Sequence, residues 1–152
     1  MVNGPSATVV AGDTDAVAEF VTTCETEGVR ARRLPVDYAS HSAHVETLAA
    51  ELEEILSDVR PVSGEIPFYS TVEAGLVDTA SLDAGYWFGN LRRPVRFQET
   101  VERLLADGFP VFVEASAHPV LTAAVQETAE SMGRQVCAVG SLRREEGVWV
   151  VS

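Results

Sequence analysis

The sequence contains no lysine: all 11 of its basic residues are arginine, set against 23 aspartates and glutamates. The formal net charge of the 152-residue chain is therefore −12 at pH 7. Phosphate backbones and anionic membrane surfaces repel a protein with this excess of carboxylates. We therefore expect no nucleic-acid partner and no membrane partner.

Cysteine and long apolar runs are also scarce. Cys24 and Cys137 match no metal or redox spacing, and each falls in a periodic hydrophobic segment, which predicts buried free thiols. No apolar run approaches the roughly 20 residues that a transmembrane helix needs. The first residues carry neither a charged nor a hydrophobic segment typical of a signal peptide, so we predict a cytoplasmic protein.

Hydrophobic periodicity alternates between strand-like and helix-like segments along the chain. This alternation is typical of an α/β fold with a mainly parallel sheet. Asp13 is a candidate N-cap for the first helix, and Gly28 is a candidate stop for it. The predicted strands cover residues 7–11, 29–36, 66–71, 111–114 and 135–140, the predicted helices cover about 13–27, 43–59, 86–92, 97–106 and 119–132, and a polar loop is predicted after residue 71.

One loop carries a candidate catalytic residue. The segment Asp37-Tyr38-Ala39-Ser40-His41-Ser42 lies between a predicted strand and a predicted helix, and it can present the His41 imidazole as a general base. No Gly-x-Ser-x-Gly elbow occurs in the sequence to supply the serine that such a base would activate. The chain therefore contains half of a recognisable catalytic pair.

The other polar candidates leave alternatives open. His118, at a predicted strand-to-helix turn, is a serious rival to His41 for the base, and the residues alone favour a catalytic role for His118 no more than a locally hydrogen-bonded place in the turn. His44 is expected to be a solvated surface residue. A metal site built from His41 and His44 with His118 or Glu46 is disfavoured by the spacing, so we expect no metal.

Three serines stand close to a histidine and could act as nucleophiles in a self-contained hydrolase. None of them lies in a strained elbow between glycines, and a serine adjacent in sequence to a histidine seldom has the geometry to be activated by it. The sequence therefore disfavours a hydrolase that uses its own serine. The three are Ser40, Ser42 and Ser116.

Five segments resemble, in order, the acyltransferase domain of modular type I polyketide synthases and, more distantly, malonyl-CoA:acyl-carrier-protein transacylases. They cover nearly the whole chain. The segments are Asn3-Gly4-Pro5 with Val9-Val10-Ala11-Gly12, Val36 to Ser42, Tyr86 to Phe97, Phe112 to Leu121, and Ser141-Leu142-Arg143-Arg144.

The resemblance implies a role for His41 as the catalytic general base and acid. It implies that the backbone carbonyl of Asn90 orients the imidazole, and it assigns His118 to a structural turn. In the family, a serine in Gly-His-Ser-x-Gly attacks an acyl-CoA thioester, and the acyl group then passes to the phosphopantetheine thiol of an acyl carrier protein. No bound cofactor is implied.

The resemblance also implies a substrate preference. Family members with Tyr-Ala-Ser-His favour methylmalonyl-CoA, which makes Tyr38, Ala39 and Ser40 candidate substrate-binding residues. A small side chain at Ser40 leaves space near the substrate α-carbon. Because one methyl group changes binding by only about 1–3 kcal/mol, these residues would bias the choice rather than dictate it.

The family's serine elbow, oxyanion-hole segment and carboxylate-binding arginine have no match in this sequence. We therefore expect the C-terminal half of an α/β-hydrolase-like acyltransferase core, with the last β-α-β part of a ferredoxin-like small subdomain. The expected organisation is residues 1–36 for the partial subdomain, 37–140 for the core and 141–152 for the start of a linker.

The expected partners are the N-terminal half of the domain, a neighbouring ketosynthase domain and an acyl carrier protein. The chain alone is expected to be inactive. The alternative is a non-catalytic piece that packs against other synthase domains.

Overall fold

The chain divides into two units in the computed structural model, which describes residues 1–144. The first unit consists of Met1, Val9–Pro67 and Asp78–Val95, and the second consists of Val2–Thr8, Phe68–Val77 and the residues from Arg96 onward. The boundary expected between residues 36 and 37 falls inside the first unit, and most of the expected linker, residues 145–152, lies outside the described residues. The subdomain assignment stays a prediction.

The described residues form helices and short strands. In chain order these elements are β1 (Val2–Gly4), β2 (Ala7–Thr8), α1 (Thr14–Thr26), a 3-10 helix (Ala43–Leu48), α2 (Ala49–Ile55), β3 (Phe68–Ser70), β4 (Gly75–Val77), a second 3-10 helix (Thr79–Ser81), α3 (Ala84–Arg92), α4 (Phe97–Ala106), β5 (Val111–Glu114), α5 (Thr122–Ser131) and β6 (Cys137–Gly140). No helix among residues 1–144 is long and apolar enough to cross a bilayer.

The strands form three two-stranded sheets within residues 1–144, and the expectation of a mainly parallel sheet is wrong for them. β1 pairs with β2 and β3 pairs with β4, both antiparallel, whereas β5 and β6 are parallel. The four residues 71–74 between β3 and β4 are long enough only for a hairpin, which is antiparallel. β5 and β6 run parallel because α5 returns the chain between them.

The predicted strand over residues 29–36 is absent. The chain there has no regular structure, and Leu34 and Val36 are 40% and 51% exposed. A strand exists only when a partner accepts its backbone hydrogen bonds, and no described strand lies beside this segment. Only the helix of the expected β-α-β part, α1, is fully formed, and none of its residues is buried.

Two further predicted elements differ in detail. The predicted helix over residues 43–59 begins as a 3-10 helix and ends at Ile55. The predicted polar loop contains β4, whose residues pair with β3 in the register Phe68↔Val77 and Ser70↔Gly75.

The core of the second unit lies between α4 and α5. Val101 and Leu105 on α4, and Val125 and Ala129 on α5, are all buried and in contact. Each pair is separated by four residues, so it forms one face of its helix. Partly buried side chains that complete the cluster are Phe97, Phe112, Val136 and Ala138.

One face of the β5–β6 sheet carries exposed apolar side chains. The exposed fractions are 59% for Val111, 63% for Val113 and 46% for Val139. Successive side chains of a strand point to opposite faces of the sheet, so the residues between these valines face the helices and the valines face away from them. Cys137, on the same face, is also exposed and Cys24 is half-buried, so the prediction of buried thiols is wrong.

We expect Gly140→Ala to lower the free energy of unfolding by about 1–3 kcal/mol, because overpacking displaces neighbouring atoms. A Cβ at Gly140 would lie 2.7 Å from Cβ and Cγ of Pro119, whose ring cannot move aside as a flexible side chain would. Gly75→Ala is the matched control, since Gly75 is also in a strand and nothing lies within 4 Å of its added Cβ. Urea unfolding of both variants measures the difference, and equal effects would contradict the packing argument.

Candidate active site

His41 has an unusual backbone conformation. Its φ is 61°, in the left-handed region, where few residues other than glycine are found. The turn around it is held by Ser42, whose Oγ donates to the Ala39 carbonyl at 2.6 Å and accepts from the His44 N–H at 3.2 Å. Among residues 1–144 one other non-glycine residue, Ala74, also has a positive φ. Because strained residues of this kind cluster at functional sites, the conformation supports His41 as a candidate.

Two hydrogen bonds attach His41 to the end of α3. Its backbone N–H donates to the Leu91 carbonyl at 2.8 Å, and its ring Nδ1 lies 2.8 Å from the Arg93 carbonyl oxygen. A carbonyl oxygen can only accept, so Nδ1 must carry the hydrogen. In the neutral ring Nε2 is then the unprotonated nitrogen, which is the state a general base requires.

The carbonyl that binds the ring is not the predicted one. Asn90 was expected to supply it, whereas the structure assigns it to Arg93, three residues later. Asn90 lies within α3, whose backbone is helical, while Arg93 caps the helix with an extended backbone at ψ 157°. Pro94 imposes this ending, since the residue before a proline is driven out of the helical region. The end of the helix leaves carbonyls that α3 itself cannot satisfy.

The residues that follow His41 are paired with other parts of the first unit. His44 Nε2 lies 2.7 Å from Asp13 Oδ1, so this histidine, although 48% exposed, has a specific partner. Glu46 forms an ion pair at 2.7 Å with Arg92. Among residues 1–144 no group of three histidine, cysteine or acidic side chains is placed to hold a metal ion.

The predicted substrate-binding residues lie in the same loop as His41. Tyr38 is 69% exposed, and Ala39 and Ser40 are half-buried. The Ser42 hydroxyl bond to Ala39 fixes the backbone directly before Ser40. Their part in substrate binding stays a prediction.

The rival histidine belongs to a turn in the second unit. His118 is exposed, and its Nδ1 accepts a long 3.5 Å contact from the Arg144 N–H. The nearby Ser116 Oγ lies 3.0 Å from both Glu114 Oε1 and the His118 carbonyl, so its proton has acceptors other than an imidazole. The geometry therefore favours a structural turn.

Glu114 organises this turn, and sequence reasoning missed it. Its carboxylate accepts backbone N–H bonds from Val120 and Leu121 at 2.8 Å and from Thr122 at 3.1 Å. Desolvation opposes the charged form, but these bonds and the Ser116 hydroxyl outweigh it, so the pKa of Glu114 lies below its usual value. The sequence signal that could have indicated this role is a glutamate, Glu114, that lies eight residues before the start of α5 at Thr122, with Pro119 between them.

Comparison with known proteins shows the family to which the chain belongs. The acyl transferase domain family matches residues 1–152. The chain is 54% identical over 147 residues to the spectinabilin polyketide synthase system protein NorA of Streptomyces orinoci. It is 51% identical over 147 residues to the pikromycin polyketide synthase component PikAII of Streptomyces venezuelae. The chain belongs to the acyltransferase domain family of modular polyketide synthases.

Solved acyltransferase structures agree with this assignment. The acyltransferase domain from module 8 of the salinomycin polyketide synthase is 50% identical, with a TM-score of 0.88, over 91% of this chain and 33% of that one. A loading acyltransferase from the avermectin modular polyketide synthase is 40% identical, with a TM-score of 0.90, over 97% of this chain and 46% of that one. The fold is therefore a mixed α/β acyltransferase fold.

The acyltransferase chain spans only part of these relatives. Its matches cover 96% of its own residues but 8% of NorA and 4% of PikAII. In these two proteins the matching segment is thus embedded in a much longer polypeptide.

Removal of the Glu114 charge should alter the pH dependence of acyltransferase chain stability. Because the folded pKa is lowered, Glu114 stabilises the fold above its unfolded pKa, and this contribution is lost as pH falls through the folded pKa. We expect Glu114→Gln to cost about 1–3 kcal/mol near pH 7, with a smaller difference from wild type at about pH 4. Glu130→Gln is the control, because Glu130 is an exposed residue of α5, the helix at whose start Glu114 accepts hydrogen bonds. A difference that does not change with pH in urea unfolding would contradict the capping role.

Proposed function

We propose that this chain is the C-terminal part of a polyketide synthase acyltransferase domain, and that it takes part in transfer of an extender unit from an acyl-CoA to an acyl carrier protein. His41 would be the general base and acid of that reaction. The membership of the chain in the family supports the reaction class. The geometry of His41 is the observation that carries the residue assignment.

The bond from Nδ1 to the Arg93 carbonyl leaves Nε2 as the proton acceptor. In the first step a serine Oγ attacks the thioester carbon while Nε2 takes the serine proton, and the imidazolium returns that proton to the departing CoA sulfur. In the second step Nε2 takes the proton of the phosphopantetheine thiol, whose sulfur attacks the acyl-serine. The imidazolium then reprotonates the serine.

The serine of this mechanism would come from a segment outside this chain. The sequence contains no Gly-His-Ser-x-Gly. Ser42 Oγ donates to the Ala39 carbonyl, and Ser116 Oγ lies 3.0 Å from a carboxylate oxygen and a carbonyl oxygen, so both hydroxyl protons have acceptors other than an imidazole. These contacts argue against a hydrolase that uses its own serine.

We expect acyl transfer from radiolabelled methylmalonyl-CoA to a carrier protein only when this chain is combined with the N-terminal part of a related acyltransferase. His41→Ala in the mixture should reduce the rate by at least about 10³-fold, since loss of the base of a nucleophile–base pair is severe. His118→Ala is the matched control and should leave the rate unchanged.

Each other result of this experiment has a definite meaning. Transfer by the chain alone would reveal a nucleophile within it and overturn the proposal. No transfer in any mixture would favour a non-catalytic piece that packs against other synthase domains. Loss of transfer in His118→Ala but not in His41→Ala would identify His118, in the turn of the second unit, as the base.

We further propose that Tyr38, Ala39 and Ser40 bias the enzyme toward methylmalonyl-CoA. They precede the base directly, and the half-buried Ser40 is a small side chain at this position. A phenylalanine there would occupy space that an α-methyl group needs.

Exchange of the loop side chains should change extender selectivity in the intact domain. We expect Tyr38→His with Ser40→Phe to lower the methylmalonyl-to-malonyl ratio of kcat/KM by about 10- to 200-fold, the range of one methyl group. Ser40→Ala is the steric control, because it keeps the side chain small, and should preserve the ratio. Competition between the two acyl-CoA substrates measures both variants, and an unchanged ratio in the double variant would contradict the loop's role.

A further inference from the structure

Three consecutive residues at the end of α3 hold the segment that carries His41. Leu91 accepts from the His41 backbone N–H, and Arg93 accepts from the His41 ring, each at 2.8 Å. Between them, Arg92 directs its side chain to Glu46, which lies five residues beyond His41 on the 3-10 helix. The two carbonyls fix the histidine, and the side-chain pair fixes the helix that follows it.

The contact between Arg92 and Glu46 has a defined geometry. Arg92 Nε donates to Glu46 Oε1 at 2.7 Å, and Nη2 lies 2.7 Å from the same oxygen. Two nitrogens of one planar guanidinium thus meet a single carboxylate oxygen. An arginine fork holds such an arrangement with less loss of side-chain freedom than a lysine would, so this pair restricts position and not only distance.

His41 needs such restriction because its backbone is strained. A φ of 61° persists in a residue with a Cβ only where the surrounding contacts determine it. Without the link at Glu46, the residues after His41 are freer to relax toward negative φ. That relaxation would turn the imidazole away from the Arg93 carbonyl and remove the constraint on its tautomer.

The pair is too exposed to contribute much to global stability. The side chains of Arg92 and Glu46 are 34% and 57% exposed, and ion pairs at such positions add little to the free energy of unfolding. Its main effect is therefore expected on geometry rather than on stability. Small displacements of a reacting group can cost about 10²-fold in rate.

We propose that Arg92 and Glu46 are positioning residues that hold the His41 imidazole in its catalytic orientation. This proposal rests on the proposed function of His41 as general base.

The test uses the intact acyltransferase domain that contains this chain. Arg92→Ala and Glu46→Ala should each lower kcat by about 10- to 100-fold, with KM for the acyl-CoA within about twofold of wild type. The double variant should be no slower than either single variant, because the pair acts as one unit. Arg92→Lys should restore part of kcat, and so should exchange of the two charges in Glu46→Arg with Arg92→Glu.

Arg96→Ala is the matched control. It breaks an ion pair of similar exposure, with Glu99 at 2.5 Å, which lies at the start of α4 in the second unit. Its melting temperature should resemble that of Arg92→Ala, while its kcat should stay near wild type. Equal kcat values for Arg92→Ala and Arg96→Ala, or a loss of kcat that tracks a loss of melting temperature, would overturn the positioning role. Retention of activity in His41→Ala would instead overturn the proposed function itself.

Discussion

The end of α3 is the constraint on which the candidate site depends. Pro94 has no N–H and excludes the helical conformation at Arg93, so the helix stops with carbonyls that lack partners in its own ladder. Leu91 and Arg93 give these carbonyls to His41, one to its backbone and one to its ring. The same break in regular structure that ends the helix therefore selects the tautomer of the imidazole.

Several of the carboxylates that make the chain acidic accept hydrogen bonds at the starts of helices. Asp78 and Asp83 accept hydrogen bonds from the N–H groups of Ala80 and Tyr86 at the starts of two helical segments, and Glu114 does the same before α5. The bond from Ala80, with one from a serine hydroxyl, lowers the pKa of Asp78. Carboxylates at helix starts are favoured by the unpaired N–H groups and by the helix dipole. Part of the large negative charge thus serves to begin helices.

Local signals in the sequence determined the elements that depend on local contacts. α4 has the predicted limits because Val101 and Leu105 repeat at helical spacing and are buried on one face. β5 was also found at its predicted residues. The prediction of a strand over residues 29–36 was wrong because a strand needs a partner strand, and sequence periodicity does not show whether one is present. β4 was not predicted because its three residues lie in a stretch of turn-forming residues.

The site was predictable to the level of a motif but not of its contacts. The loop around His41 was recognisable from its residues, whereas the residues alone left His118 open as a rival base. The carbonyl partner was placed three residues too early, since the end of α3 at Arg93 decides which carbonyl is available. The pairing of Glu46 with Arg92 spans 46 residues of sequence and has no local signal.

The hydrogen bonds between the His41 loop and the end of α3 also matter for the exchange of segments between synthase modules. A graft limited to Tyr38–Ser42 would bring a foreign loop to a native helix end, and its histidine would face the native Leu91 and Arg93 carbonyls. Hydrogen bonds join residues 38–46 to residues 91–93, although 44 residues separate the two segments in the chain. Recombination junctions placed before 38 and after 93 would keep these contacts within one parent sequence, while junctions between them would divide the contacts between two parents.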